Sequence, residues 1–199
     1  MKLLVILAAA TAVLPGSSGA TGSDFRLQVP HTTSAVMIDG VLSPGEWQNS
    51  KAMEVPGVAI LYFQQSADFA YIAVQYQNST SGIVDLYLSP SEGEVYNLHA
   101  SAKLGERKLG ANGYPDWTWW NNHGWTANVS RVDSFEKRTF LPATVREFQI
   151  RRARFPSPTW RLRLELTAMN ANSEPQATTV SPPGATGKSI VDWLALDLE

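Results

Sequence analysis

The chain has 199 residues, with 16 Lys and Arg against 18 Asp and Glu, three His and no Cys, for a formal net charge of −2 at pH 7. Without Cys there is no disulfide, no thiolate catalysis, no Fe–S ligation and no Cys-type structural zinc, so any fold rests on an apolar core. A mildly acidic chain with no basic tail is not expected to bind nucleic acid.

The first twenty residues, MKLLVILAAATAVLPGSSGA, place Lys2 before an apolar run from Leu3 to Leu14 and end on Ser18-Gly19-Ala20. This reads as a signal peptide over residues 1–20 cleaved near Ala20, leaving one domain over 21–199 that is secreted or periplasmic. The run is short for a bilayer and nothing later approaches a membrane helix, so no membrane span is expected. Ile38-Asp39-Gly40 then reads as a tight turn. Ser43–Ser50, SPGEWQNS, carries helix-start signals, with Ser43 as N-cap and Pro44 at the first helical position.

From Val58 onward the hydrophobic period is two. Val58–Gln64 (VAILYFQ) and Phe69–Gln77 (FAYIAVQYQ) are β-branched and aromatic, and QSAD between them makes a turn, so they predict a hairpin. Ile83–Ser89 (IVDLYLS) and Glu94–Lys103 (EVYNLHASAK) predict a second hairpin across Pro90, Ser91 and Gly93. Trp125–Val132 and Val145–Ile150 are further strand candidates. Trp160–Leu166 (WRLRLEL) is the clearest, with Leu162, Leu164 and Leu166 on one face and Arg161, Arg163 and Glu165 on the other. Asn170–Lys188, rich in Ser, Thr, Pro, Gly and Ala, reads as a long loop, and Val191–Leu198 as a last strand or a short helix. Many short strands and one helical turn predict an all-β chain, an antiparallel β-sandwich of immunoglobulin-like architecture.

Ile38-Asp39-Gly40 and Pro44-Gly45-Glu46-Trp47, followed by FAYIAVQYQ, DLYLSP and WRLRLEL, resemble in their order the family 9 carbohydrate-binding modules and the wider group of DOMON-like β-sandwiches, from about Met37 to Glu199. The resemblance implies that the IDG turn and Trp47 are architectural. It departs from the family pattern at Arg151, where a proline usually follows the strand equivalent to VREFQI. It also implies a sugar held against aromatic rings, with polar side chains reaching its hydroxyls.

The stretch Tyr114–Val129, YPDWTWWNNHGWTANV, has the chemistry for such a site, since pyranose C–H groups pack on flat rings and the hydroxyl rim needs amides and charged groups. Trp125 opens an alternating run and is expected to be anchored. The candidate ligand-binding residues are therefore Tyr114, Trp117, Trp119 and Trp120, with Asp116, Asn121 and Asn122 beside them. The competing reading is that the rings cap an open end of the sandwich while the amides bond turn backbone.

Other features carry less. Arg146, Arg151, Arg152, Arg154, Arg161 and Arg163 form either an anion-binding stripe or, as more strands do, a solvated face balanced by Glu147 and Glu165. His31, His99 and His123 have no metal-ligand spacing. No carboxylate pair and no GxSxG elbow marks a catalytic centre, so no enzyme and no cofactor are expected. Asn78-Ser79-Thr80 and Asn128-Val129-Ser130 fit the N-glycosylation pattern. The function expected is an exported, non-catalytic protein that binds an oligo- or polysaccharide through the Trp-rich loop, alone or for a separate enzyme partner. The alternatives are a haem-binding or electron-transfer DOMON-like domain using Met37, Met53 or Met169 with a histidine, and a structural or protein-interaction domain.

Overall fold

A computed structural model describes residues 25–79, 81–119, 123–134, 139–187 and 189–198, with backbone alone for 131–134 and 139–141. The expected signal peptide and its cleavage point lie outside the described residues. Two short strands lead, β1 (Arg26–Gln28) and β2 (Lys51–Val55), neither of which the hydrophobic pattern marks. The first predicted hairpin follows as β3 (Ala59–Gln65) and β4 (Phe69–Tyr76). The second is β5 (Ser81–Ser91) and β6 (Glu94–Ala100), and a turn at 101–103 leads into β7 (Leu104–Lys108). The Trp-rich stretch supplies β8 (Thr118–Trp119) and β9 (Trp125–Ala127).

The remaining strands are β10 (Arg131–Ser134), β11 (Thr139–Leu141), β12 (Val145–Arg151), β13 (Thr159–Met169), β14 (Pro175–Ser181) and β15 (Leu194–Asp197). They form a large sheet in the order β1-β15-β13-β5-β6-β7-β8, with β14 also on β13, and a five-stranded sheet in the order β2-β3-β4-β12-β9. The β10–β11 pair stands apart. All pairings are antiparallel except β1 with β15. The molecule is an all-β sandwich, as expected.

Alternation decides what lies between the layers. Leu86, Leu88, Leu98, Leu162, Leu164 and Leu166 of the large sheet belong to one buried cluster with Phe63, Ile72, Phe148 and Ile150 of the small one. Full burial of each such side chain contributes about 1.5–3 kcal/mol, which is how a chain without disulfides holds together. A second cluster, on the outside of the small sheet, joins Trp47 to Tyr71, Ala73 and Val145. A third, on the outside of the large sheet, joins Tyr87, Val95, Ala185 and Trp193.

The IDG turn and Trp47 meet at Glu147. This fully buried carboxylate accepts from the backbone N–H of Asp39 at 3.0 Å and of Gly40 at 2.7 Å through Oε2, and from the Trp47 indole N–H at 3.1 Å through Oε1. Burial raises the Glu147 pKa to about 7 against those three bonds. The turn and its tryptophan are architectural, fastened to β12 by one side chain.

Three expectations need correction. Ser43–Ser50 forms successive turns rather than a helical turn, because Gly45 takes φ of +90°, which a right-handed helix cannot include. Single 3-10 turns occur instead at Arg152–Arg154 and Ile190–Asp192, the latter overlapping the start of the predicted Val191–Leu198 element, whose strand begins at Leu194. Asn170–Lys188 is not one long loop, since β14 pairs with β13 from Leu164 to Met169. Four of its seven residues are exposed, so it carries no apolar alternation to read. The run Trp125–Val132 divides, with β9 in the small sheet and β10 pairing elsewhere.

Candidate functional site

Cross-strand register builds a face that no local motif shows. On the outside of the large sheet, Asp85 of β5, His99 of β6, Gly105 of β7 and Trp119 of β8 are successive Cα partners. The neighbouring row is Tyr87, Asn97 and Arg107. Strand alternation points all of these away from the core occupied by Leu86, Leu88 and Leu98.

Gly105 makes room for the indoles. A Cβ there would stand 2.8 Å from the Trp119 ring and 3.1 Å from the Trp117 ring, so glycine lets both lie directly on the sheet. Trp117 and Trp119 stack with centroids 5.5 Å apart and planes 29° apart, and Trp119 is 46% exposed. His99 backs them, 5.2 Å from Trp117 and 6.0 Å from Trp119. Its ring is fixed by Asp85 Oδ1 at 3.0 Å on Nδ1 and Ser101 Oγ at 2.9 Å on Nε2.

Cations complete the face. The Arg107 guanidinium lies 4.1 Å from the Trp117 centroid and 4.6 Å from that of Tyr114, and Lys103 Nζ is 5.8 Å from Trp119. Tyr114 is half-buried, edge-on to Tyr87 at 6.2 Å, and burial raises its pKa. Tyr87 donates to Glu165 Oε2 at 3.1 Å, and burial foremost pushes its phenol up to about 12. Between them Asn97 is fully buried with neither amide atom hydrogen-bonded, and Arg107 Nε is likewise buried and unpaired.

Of the residues singled out in the sequence, the structure brings Tyr114, Trp117 and Trp119 to this face and leaves Asp116 exposed beside them. Trp120, Asn121 and Asn122 lie outside the described residues. Trp125 is anchored, 4% exposed, stacked on Phe148 at 6.1 Å and donating to Glu106 Oε2 at 2.7 Å. Glu106 also holds Arg154 through both oxygens. Asp85, Asn97, His99 and Arg107 escaped sequence reading. The only available signal for Asp85, Asn97 and His99 was their place at outward positions of predicted strands, and Arg107 lies on β7, beyond the predicted Glu94–Lys103 strand.

The arginines do not make one stripe. Arg163 pairs with Glu165 at 2.6 Å on the outer face, Arg154 with Glu106, and Arg146 is buried inside the sandwich. The Asn128 sequon is structural: its side chain donates to Val145 O at 2.9 Å and accepts from Glu147 N at 2.6 Å. Among the histidines His99 has both ring nitrogens engaged, while Met37 is 45% exposed. Among the described residues no three His, Asp or Glu side chains gather as a metal site, and no helix is long and apolar enough to cross a membrane.

No protein-family model matches the chain, and no curated protein matches it in sequence. Solved structures do match. A family 9 carbohydrate-binding module from Caldicellulosiruptor kristjanssonii, solved in complex with cellotriose, aligns with TM-score 0.52 and 12% identity over 87% of this chain and 93% of its own. A candidate carbohydrate-binding protein from Bacteroides uniformis aligns with TM-score 0.53 and 10% identity over 90% of this chain and 100% of its own. At such identities the likeness speaks for the fold, and in fold this chain resembles the family 9 carbohydrate-binding modules.

Proposed function

We propose that the protein is an exported, non-catalytic carbohydrate-binding protein whose contact surface is the outer face of the large sheet around Trp117 and Trp119. The observation that carries this reading is the stacked indole pair, one ring nearly half exposed, seated on Gly105. A ring already held in place loses little freedom when a pyranose packs on it, and the stacking contact is then gained at small entropic cost. Lys103 and Asp116 are exposed at the rim, where hydroxyls need donors and acceptors. Trp120, Asn121 and Asn122 continue the same stretch and belong to the proposed surface. The two carboxylates behind the rings are already engaged, Asp85 by His99 and Glu165 by Arg163 and Tyr87, which suits holding a ligand better than proton transfer.

The fold neighbour solved with cellotriose makes β-linked gluco-oligosaccharides the first probe. Isothermal titration with cellotriose, within a wider glycan array, should give saturable binding that Trp119→Ala and Trp117→Ala weaken at least tenfold while both variants unfold cooperatively. Trp120→Ala tests the adjoining ring. Absence of any glycan ligand, or variants that bind like the parent, refutes the proposal. A separate enzyme partner is testable by adding the protein to hydrolases acting on whichever polysaccharide it binds.

A further inference from the structure

We propose a second binding site, independent of the aromatic face, in a cleft at one end of the sandwich where the Arg146 guanidinium receives the carboxylate of a small ligand with a largely apolar body.

Arg146 sits on β12 two residues before Phe148 and four before Ile150, both fully buried, so it occupies a core-facing position. It is itself only 4% exposed. Nε donates to Gly82 O at 2.7 Å and Nη1 to Asn128 O at 3.1 Å, which bridges the large sheet and the end of β9. Both of those partners are neutral carbonyls, and among the described residues no carboxylate pairs with Arg146. Burial lowers its pKa, and what opposes this is the Tyr76 phenol rather than a carboxylate. A buried cation is costly unless a counter-charge reaches it.

The guanidinium lines a cleft of about 380 Å³. Ile83, Val129 and Met169 contribute hydrocarbon walls, and Ser81, Ser101 and Ser173 hydroxyls. The Ser101 hydroxyl is already committed to His99 and to its own turn. The N–H groups left on Nη1 and Nη2 after the bonds to Asn128 and Gly82, with few free hydroxyls, match the two coplanar oxygens of a carboxylate, whereas a phosphate brings more acceptor oxygens and more charge than these donors can meet. The walls then suit an apolar remainder, and the free volume allows several carbon atoms.

The test is a titration of the full ¹⁵N-labelled chain with butanoate, acetate, butyramide and inorganic phosphate at matched ionic strength, following the Arg146 Nε–H signal. Butanoate should shift that signal saturably and bind more tightly than acetate, while butyramide and phosphate leave it in place. Arg146→Met, which lacks that signal and is followed instead through the backbone amides of Gly82 and Ile83 in the cleft wall, should weaken butanoate by roughly tenfold or more, the loss of one charge-assisted pair. Ala102→Trp, which narrows the cleft mouth from an exposed position and leaves the inter-sheet bonds of Arg146 intact, should weaken it as well. If Arg146→Met does not fold, the wild-type titration and Ala102→Trp decide. No carboxylate response in the wild type overturns the proposal and leaves Arg146 a clamp between sheets. Equal response to phosphate, or unchanged affinity in Ala102→Trp, overturns it too.

Discussion

Replacing Glu147 by Ala should destabilise the protein strongly at pH 5 and far less at pH 8. The side chain accepts three N–H bonds, from Asp39, Gly40 and Trp47. Removing it leaves three donors without their acceptor, at about 1–3 kcal/mol for each one that stays buried. Against this stands the cost of its charge. Its folded pKa is about 7 against 4.5 for an ordinary glutamate, so between those values the unfolded chain ionises while the native state keeps the proton. The native state binds more protons there, and stability falls as pH rises through that window. The gap corresponds to about 3 kcal/mol, fully present as stability below pH 4.5 and lost above pH 7. The variant lacks this group, so its deficit relative to the parent should shrink from roughly 4 kcal/mol at pH 5 to roughly 1 kcal/mol at pH 8. Urea unfolding of parent and variant at both pH values measures it, and subtraction cancels the other titrating groups. An equal deficit at the two pH values would falsify the reasoning, because the charge would then carry no burial cost.

Gly105→Ala should displace the indole pair with little loss of stability, since its Cβ would meet rings at 2.8 Å and 3.1 Å on the outer face. The expected result is loss of the far-UV exciton couplet of the stacked tryptophans together with glycan binding; a retained couplet refutes it. Asn97→Leu should stabilise the protein by about 1–3 kcal/mol in urea unfolding, because a fully buried amide with neither atom paired is replaced by hydrocarbon of similar volume. Destabilisation there would mean that the amide has partners at work in solution.

Trp160–Leu166 was legible because its leucines enter the core while its charges stay on the other face. Phe69–Gln77 was legible from its β-branched and aromatic residues, although Tyr71 and Ala73 on its outer face are buried too, under Trp47. Pro175–Ser181 defeated the same reasoning because most of it is solvated, so its hydrogen bonds to β13 leave no trace in hydrophobicity. The helix expected at Ser43 failed on one glycine dihedral, which composition alone does not fix. In the candidate site, the ring-bearing residues were visible as a dense local cluster. Asp85, Asn97, His99 and Arg107 were not, because what unites them is register between strands distant in sequence. The Asn128 sequon shows the converse, a local pattern whose asparagine is committed to backbone across strands.

The stretch from Trp119 to Trp125 begins on the edge of one sheet and ends in the other. A two-residue edge strand such as β8 would peel away under tension with little resistance. Its continuation, however, returns through Trp125 to Glu106, on the very strand that β8 pairs with, and Glu106 is held in turn by Arg154 beyond β12. A pull on Trp119 is therefore shared between two hydrogen-bonded layers, and the aromatic face is braced against shear in a way that the length of its own strand would not suggest.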